Sequence, residues 1–211
     1  MNKSILDVES QGGLSLRMGR SVAEALYDAP DYEVILEGRE NRVRALSWFF
    51  GSFAARLSIR YGKIFSTENG QGGILTFFPN RSPSLISLIG AGVLSLPIYF
   101  GVRGSWRAFL VGMHLERRRL ALAPKLHWYL LAFGVAPNQQ GQGIGRALLS
   151  EVMRLADADE MPCYLEVFEE HLVELYERKG FRVLQQCELP YGLTLWCMLR
   201  PSQSMCEAAS V

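Results

Sequence analysis

Apolar residues recur along this chain with two different spacings, which alternate from one segment to the next. Over residues 40–60 the spacing is helical and predicts a long amphipathic helix with a bulky apolar face. Residues 127–135 (HWYLLAFGV) and the stretch CYLEVF from Cys163 are instead short runs rich in aromatic and branched side chains, which predict buried strands. Helices interspersed with strands in this way favour a single α+β domain.

Near the N-terminus we interpret LSLR, from Leu14, as a short strand, and SVAEALYDA as a helix capped by Ser21. Residues 1–12 are expected to be loosely ordered. KIFST and ILTFFPN flank the turn ENGQGG, whose glycines supply the backbone conformations of a hairpin. Residues 82–102 carry no charge, but prolines, glycines and serines interrupt them. We expect a buried or cleft-lining helix there rather than a membrane span.

The second half of the chain continues the alternation of helices and strands. A basic helical stretch runs up to Pro124, and an amphipathic helix follows the glycines of residues 141–145. EEHLVELYERKGF predicts another helix, closed at Gly180. RVLQQCEL and TLWCML predict a terminal hairpin. We therefore expect one domain over residues 13–200 and a tail over residues 201–211.

Composition narrows the class of protein. The 211 residues contain 22 Lys or Arg and 21 Asp or Glu, and this balance argues against an extended nucleic-acid surface. The four cysteines show no CxxC pair and no zinc spacing, so no metal site is expected. The start of the chain has no apolar signal core, and we expect a cytoplasmic protein with reduced thiols. A homodimer is compatible with the sequence.

Three alternating glycines stand where a strand gives way to a helix. Gly141, Gly143 and Gly145 would leave the first N–H groups of that helix bare, and such groups attract phosphate. Arg146 adds positive charge. The pattern is neither GxGxxG nor a P-loop, because Arg146 stands where the third glycine would be and no GKS/T ending follows. The alternative is a glycine-rich turn that only packs tightly.

The surrounding residues resemble the acetyl-CoA signature of the GCN5-related N-acetyltransferases (GNATs). Gln140-x-x-Gly143-x-Gly145 follows LLAFGVAPNQ, and YLEVFEEHLVELYERKGFRV contains a Tyr-x-x-x-Gly-Phe segment beginning at Tyr176. HWYLLAFGVAPNQQGQGIG and ADADEMPCYLE are similar to the puromycin N-acetyltransferase-like branch. The resemblance implies a mixed sheet splayed between two central strands, flanked by helices, with a helical insertion before the strand that binds CoA.

The resemblance also implies how the cosubstrate acetyl-CoA binds. The acceptor side would lie in residues 13–125 and the acetyl-CoA side in residues 126–200. The main chain of Phe133, Gly134 and Val135 would pair with pantetheine, and Gly134 would allow a β-bulge. The diphosphate would bind a loop whose members are Gln140, Gly141, Gln142, Gly143, Ile144, Gly145 and Arg146.

Two side chains are candidates for catalysis. Tyr176 matches the family tyrosine that protonates the departing thiolate, and its alternative is simple packing on an amphipathic helix. Glu166 on CYLEVF is the candidate base, and its alternative is a solvated or salt-bridged strand glutamate. His127 is a second candidate base, whereas His171 falls on another helix face. Lys179 is a candidate for the CoA 3′-phosphate, although helix C-termini favour lysine anyway.

One departure from the family keeps a second function open. Leu172 occupies the position where many relatives carry an asparagine that helps to hold pantetheine. We therefore expect an acetyl-CoA-dependent N-acetyltransferase acting on a small-molecule or peptide amine. The alternatives are a non-catalytic acyl-CoA-binding module and an acyltransferase that uses residues 82–102 as an interfacial anchor. Neither a nucleic acid nor a membrane is the expected partner.

Overall fold

The computed structural model describes residues 5–8, 12–78, 83–202 and 205, and its centre is one seven-stranded sheet. The strands are β1 Ile5–Asp7, β2 Gly62–Thr67, β3 Gly72–Phe77, β4 Trp128–Val135, β5 Cys163–Val167, β6 Arg182–Leu189 and β7 Leu193–Arg200. Their order is β1-β2-β3-β4-β5-β7-β6. Every neighbouring pair is antiparallel except β4–β5, so the predicted mixed sheet is confirmed.

Eight α-helices of the described residues surround this sheet. They are α1 Gly12–Ala25, α2 Pro30–Ile35, α3 Arg42–Trp48, α4 Ala54–Tyr61, α5 Leu85–Ala91, α6 Leu96–Leu122, α7 Ile144–Ala158 and α8 Glu170–Glu177. A π-helical turn, Phe49–Phe53, joins α3 to α4, so the predicted helix over residues 40–60 is continuous but locally widened. The two predicted hairpins are confirmed as β2–β3 and β6–β7.

The N-terminal region differs from the prediction. Leu14 lies inside α1, not in a strand, and Ser21 lies in the middle of the same helix, not at its start. Leu14, Met18 and Val22 are four residues apart and all buried, so burial on one helix face overrides the short alternation in LSLR. The segment expected to be loosely ordered contains β1, which pairs with β2. Residues 1–4 and 9–11 lie outside the described part.

The sheet separates two apolar cores. Helices α1 and α3, the π-helical turn and part of α6 cover one face, together with Tyr129 and Tyr164. Helices α7 and α8 cover the other face, together with Trp128 and Leu165. Successive strand residues point to opposite faces, so β5 sends Tyr164 and Glu166 to the first face. We call this first face the α1 face, since α1 packs on it.

The uncharged segment is not one buried helix, and of the expected cleft-lining role the structure shows Ile98 and Tyr99 in the wall of a cleft. Its described residues form α5, a short 3₁₀ turn at Val93–Ser95 and the beginning of α6. Several of its large apolar side chains are exposed, among them Leu85, Ile86 and Ile98. Among the helices of the described residues, none is by itself both long and apolar enough to cross a membrane. The pair formed by α5 and residues 93–122 meets those criteria together, with a bend of 56°.

Helix α6 contains a break that the sequence did not reveal. Gly101 has φ 73° and ψ 166° inside an otherwise helical segment. The guanidinium of Arg39 donates to the carbonyl oxygens of Ile98 and Tyr99, both at 3.2 Å, just before the break. These carbonyls would otherwise have lost their helical partners, so Arg39 stabilises the bend. The second half of α6 then runs towards β6 and β7 and ends at Leu122, before Pro124.

Candidate active site

Strands β4 and β5 are paired over only part of their length. Their parallel register covers Trp128↔Cys163, Tyr129↔Tyr164 and Leu130↔Leu165, and β4 then continues to Val135 without β5 as a neighbour. The prediction that the two central strands splay apart is therefore confirmed. The edge of β4 over residues 131–135 faces the gap between the strands. Main-chain amides at such an edge can pair with an extended ligand as another strand would.

The β-bulge lies elsewhere than predicted. The β3–β4 register shifts between Leu75, opposite Ala132, and Thr76, opposite Leu130, so Leu131 is the extra residue and not Gly134. Gly134 has a different role. A Cβ atom there would lie 2.9 Å from the Cβ of Ala25 and 3.0 Å from the Cα of Val22. The absence of a side chain at Gly134 thus lets α1 pack directly on β4.

The glycine-rich loop begins after β4 and ends at the first turn of α7. Gly141 and Gly143 have φ values of 74° and 79°, a region that other residues rarely adopt, and a Cβ at either position would meet no atom within 4 Å. Gly143 is the N-cap of α7, and no side chain caps the helix there. The helix therefore begins at an exposed, uncapped N-terminus, which is a favourable environment for an anion.

The remaining loop residues have structural roles of their own. The side chain of Gln140 donates to the carbonyl oxygen of Val135 at 3.1 Å and thereby closes the loop onto the end of β4. Gln142 donates to Gln139 at 3.4 Å. Ile144 is buried in the α7 core, whereas Arg146 is exposed beside the helix start. Gly145 packs tightly, because a Cβ there would lie 3.0 Å from the Phe133 ring.

Glu166 lies on the α1 face among aromatic residues. Burial raises the pKa of its carboxyl to about 7, against the opposing effects of the Tyr129 and Tyr164 hydroxyls and the Arg119 charge. Its Oε1 atom is buried and has no hydrogen-bond partner among the described residues. A carboxylate with a raised pKa and an unused oxygen is suited to accept a proton near neutral pH.

Arg119 is part of the Glu166 environment, a contact that no sequence pattern predicted. It forms an ion pair with Glu116 at 2.7 Å, and its guanidinium lies 5.1 Å from the centroid of the Tyr129 ring. Tyr129 and Tyr164 were also missed as neighbours of Glu166. The parallel register sets Tyr129 opposite Tyr164 and brings these rings together. Because alternate residues of a strand share a face, the sequence could have placed Tyr164 on the same face of β5 as Glu166.

His127 is not placed to act as a free base. Its Nδ1 atom lies 2.6 Å from the carbonyl oxygen of Pro124, which can only accept, so Nδ1 carries the proton. Its Nε2 atom lies 3.4 Å from Nη1 of Arg119 and is thus the acceptor there. Burial lowers the pKa of the ring, so it is held neutral with both nitrogens engaged. The geometry favours Glu166 over His127.

Tyr176 lies on the opposite face of the sheet from Glu166. It is 7% exposed and contacts the Phe181 ring edge-on, at 5.5 Å between centroids. Burial raises the pKa of its hydroxyl, which therefore stays protonated at neutral pH. The carbonyl oxygen of Tyr176 accepts from the N–H groups of Lys179 and Phe181, in the turn where Gly180 has φ 86°. This turn fixes the tyrosine at the end of α8.

Other candidates on α8 are less buried. His171 is largely exposed, with its Nδ1 3.5 Å from the Glu169 carboxylate. Leu172 packs against the same core as Tyr176 and is an apolar contact, not an amide donor. Lys179 is partly buried and follows the last turn of α8. Within the described residues, no group of three or more His, Cys, Asp or Glu side chains is arranged to hold a metal ion.

Comparison with known proteins finds acetyltransferases that are similar to part of this chain. Residues 104–183 match the family model described as an acetyltransferase (GNAT) domain. The Schizosaccharomyces pombe protein called "Uncharacterized N-acetyltransferase C550.08" is 39% identical over 59 residues, which cover 28% of this chain and 24% of that protein. The match thus spans about a quarter of the length of that relative.

Solved structures extend the likeness to the whole fold. A Corynebacterium glutamicum protein described as histone acetyltransferase HPA2 and related acetyltransferase superposes with a TM-score of 0.69 at 20% identity, over 96% of this chain and 97% of the other. Arylalkylamine N-acetyltransferase 2 from Aedes aegypti has a TM-score of 0.58 at 10% identity, over 94% and 99%. Residues 104–183, which match the family model, contain β4, the glycine-rich loop, Glu166 and Tyr176. Residues 104–183 of this chain are thus similar to a GNAT acetyltransferase domain, and the chain shares its fold with the solved acetyltransferases.

Proposed function

We propose that the protein is an acetyl-CoA-dependent N-acetyltransferase that transfers the acetyl group to a primary amine by direct attack in a ternary complex. The observation that carries this proposal is the gap between β4 and β5 that opens beside an uncapped helix N-terminus. An extended pantetheine fits along the free edge of β4, and a diphosphate fits the bare turn at Gly141 and Gly143. The residues present thus suit acetyl-CoA.

The loop would hold the diphosphate through its main chain. The first N–H groups of α7 carry partial positive charge and have no partner within the helix. Gly141 and Gly143 leave open space where side chains would stand, and Arg146 is exposed nearby. On β4, main-chain groups of Phe133 and Val135 would pair with pantetheine amides, and an N–H there would polarise the thioester carbonyl.

Glu166 would accept the proton that the acceptor must lose. An alkylammonium has a pKa of about 10 and no lone pair, so a base is needed before it can attack. With a pKa of about 7, Glu166 is ionised above neutral pH and can take this proton directly or through water. The freed amine nitrogen then bonds to the thioester carbon, and a tetrahedral oxyanion forms.

Tyr176 would complete the reaction as the general acid. The carbon–sulfur bond breaks as the oxyanion collapses, and the departing CoA thiolate takes the phenolic proton of Tyr176. The amide nitrogen then loses its extra proton, which restores the phenol directly or through water. The buried hydroxyl has a raised pKa, so it is protonated when the thiolate leaves. Glu166 and Tyr176 start from opposite faces of the sheet, and the gap between β4 and β5 lies between those faces.

The acceptor that we favour is a small molecule. The Aedes aegypti structure is that of an arylalkylamine N-acetyltransferase, and its fold likeness covers nearly the whole of this chain. Glu166 itself lies among the rings of Tyr129 and Tyr164. An aromatic or aliphatic amine is therefore the first class to test, before peptides.

The test is thiol release from acetyl-CoA with a panel of primary amines. We expect release that depends on the amine, and Tyr176→Phe should lower kcat by about tenfold or more while CoA still binds. Tyr191→Phe, an exposed tyrosine, is the matched control. Tight CoA binding without turnover on any amine would instead support the non-catalytic acyl-CoA-binding module.

A further inference from the structure

The outer surface of α5 and the first half of α6 is apolar although it faces outward. Eight large side chains on it are between 47% and 82% exposed: Leu85, Ile86, Ile89, Leu94, Ile98, Val102, Trp106 and Phe109. After the break at Gly101, Val102, Trp106 and Phe109 recur at intervals of four and three residues, and the Trp106 and Phe109 rings are 5.7 Å apart. We call these eight residues the apolar outer face. Apolar surfaces of this extent mark interaction sites.

Helix α5 buries its serine and exposes its isoleucines, the opposite of an ordinary surface helix. Its serine, Ser87, is buried, where it hydrogen-bonds the Tyr61 hydroxyl and lies 3.0 Å from Ser84. Its isoleucines, Ile86 and Ile89, point outward. A surface helix in water normally turns its polar side chains out and its apolar ones in. The arrangement leaves both isoleucines in water, and a less polar environment over them would stabilise it.

The charges around this face are positive. From Asn69 to Leu115 the sequence contains no Asp or Glu. Arg56 and Arg60 on α4 are exposed beside α5, and Arg56 donates to the carbonyl oxygen of Ala91. Arg103 is exposed between Val102 and Trp106. Among the described residues, none of these three arginines forms an ion pair with a carboxylate, whereas Arg107 is paired with Glu37 at 2.6 Å.

A cleft with excess positive charge adjoins the face at Ile98. It has a volume of about 410 Å³, and its charged lining consists of Arg39, Arg44 and Glu40. Arg44 is exposed and forms no ion pair among the described residues. An apolar face beside unpaired guanidinium groups has the chemistry of a helix that lies in the headgroup region of a bilayer, where Trp side chains are also favoured.

We propose that the apolar outer face docks on the surface of a bilayer that contains anionic lipids. The face would enter the headgroup–acyl boundary without crossing the membrane, and Arg56, Arg60 and Arg103 would lie at the level of the lipid phosphates. The bend between α5 and α6 suits two helices that lie in a surface. This inference is independent of acetyl transfer, because it rests on none of the residues assigned to the reaction.

Vesicle flotation of the purified chain tests the proposal. We expect binding to phosphatidylcholine vesicles that contain phosphatidylglycerol, and weaker binding to phosphatidylcholine alone. The triple variant Ile86→Ser, Ile98→Ser, Val102→Ser should lose about tenfold or more in partition, because three apolar insertions are removed. The matched control is Leu16→Ser with Val183→Ser, two exposed apolar residues outside the face, which should bind as the parent does.

The charges are tested separately. Arg56→Gln, Arg60→Gln and Arg103→Gln together should weaken binding to anionic vesicles by about 100-fold at low salt, or about fivefold per guanidinium. Circular dichroism must show parental folding in each variant. Absence of vesicle binding by the parent chain would overturn the proposal. So would a lipid-free dimer in sedimentation velocity that the triple serine variant dissociates, because the face would then be covered by a second copy.

Discussion

Two buried carboxyl groups, Glu166 and Asp31, have pKa values raised to about 7. Burial is the main cause in both, because removing a carboxylate from water penalises its charged form. At Asp31 the main-chain N–H groups of Asp31 and Tyr32 oppose the rise, and the charge of Glu169 adds to it. Glu166 lies on a strand beside the gap, whereas Asp31 is in the first turn of α2. The two residues therefore support different predictions.

Replacement of Glu166 tests the base. For the parent enzyme we expect kcat/KM to rise with pH through about 7, as the carboxyl loses its proton. Glu166→Gln cannot accept the proton, so kcat/KM should fall by about 100-fold or more and this limb of the pH profile should disappear. Glu174→Gln changes an exposed glutamate on α8 and serves as the control. A Gln variant with the parental rate and profile would contradict the role of Glu166.

Asp31 gives a prediction about stability. Its pKa is higher in the folded chain than in the unfolded chain, so the folded state binds more protons between about pH 4 and pH 7. The free energy of unfolding should therefore decrease as pH rises through this window, and the loss should be complete above the folded pKa. Asp31→Asn removes the titration, and we expect it to gain about 1–3 kcal/mol relative to the parent between pH 5 and pH 8.

Urea unfolding at pH 5, 6.5 and 8 measures this difference. Asp28→Asn, three residues earlier and exposed, controls for the loss of one charge. If the free energy of unfolding had the same pH dependence in the parent and in Asp31→Asn, the pKa of Asp31 would not be raised in the folded state, which would contradict this prediction.

Among the elements, the loop before α7 depends on backbone conformation more than on side chains. Gly143→Ala places a methyl group on a residue with φ 79° and narrows the bare turn, at a conformational cost of about 1–2 kcal/mol. We expect CoA affinity, measured by calorimetry, to fall by about tenfold. Gly112→Ala makes the same chemical change in α6, where no positive φ and no close atom stand in the way. It should leave CoA affinity unchanged, and parental affinity in both variants would argue against the loop as the diphosphate site.

The sequence predicted elements well where periodicity and turn chemistry agreed. The hairpins, β4, β5, α7 and the turn at Gly180 were all found, and Gly70 in the hairpin turn has the expected positive φ of 71°, whereas Gly72 and Gly73 lie in β3. Prediction was wrong at LSLR, from Leu14, because so short a segment fits both the two-residue period of a strand and the period of a helix. The burial of Met18 and Val22 on the same face as Leu14 shows that the segment is helical. It was also wrong for α5, because composition alone cannot tell which face of a helix is buried.

The candidate site was predictable only in part, for a related reason. Glu166 and Tyr176 were proposed from their positions in local motifs, and their roles stay predictions. Arg119 lies 47 residues before Glu166 in the sequence. The proximity of Tyr129 to Glu166 follows from the register of β4 on β5, which the sequence alone does not provide. Gly134 was assigned a bulge that belongs to Leu131, because the close approach of α1 is a tertiary effect. Non-local contacts of this kind leave no periodic signal.

At the scale of the whole molecule, binding of coenzyme A should stabilise the fold. A ligand that binds the folded state alone adds about 2.7 kcal/mol at a concentration of 100 times its Kd. For a domain of about 200 residues this corresponds to a rise in Tm of about 5–10 °C. Differential scanning fluorimetry measures it, with adenosine as a ligand that lacks the diphosphate. An unchanged Tm at millimolar coenzyme A would remove the basis of the proposed function.

The short pairing of β4 with β5 has a mechanical consequence. Three residue pairs join the block β1–β4 to the block β5–β7, whereas β3 and β4 share six. In the absence of ligand, we expect the sheet to open locally at the β4–β5 boundary first. Amide protons at Leu130 and Leu165 should therefore exchange with solvent sooner than those of β3. A ligand bound between β4 and β5 would suppress this opening, so ligand binding and a loss of local flexibility would be coupled.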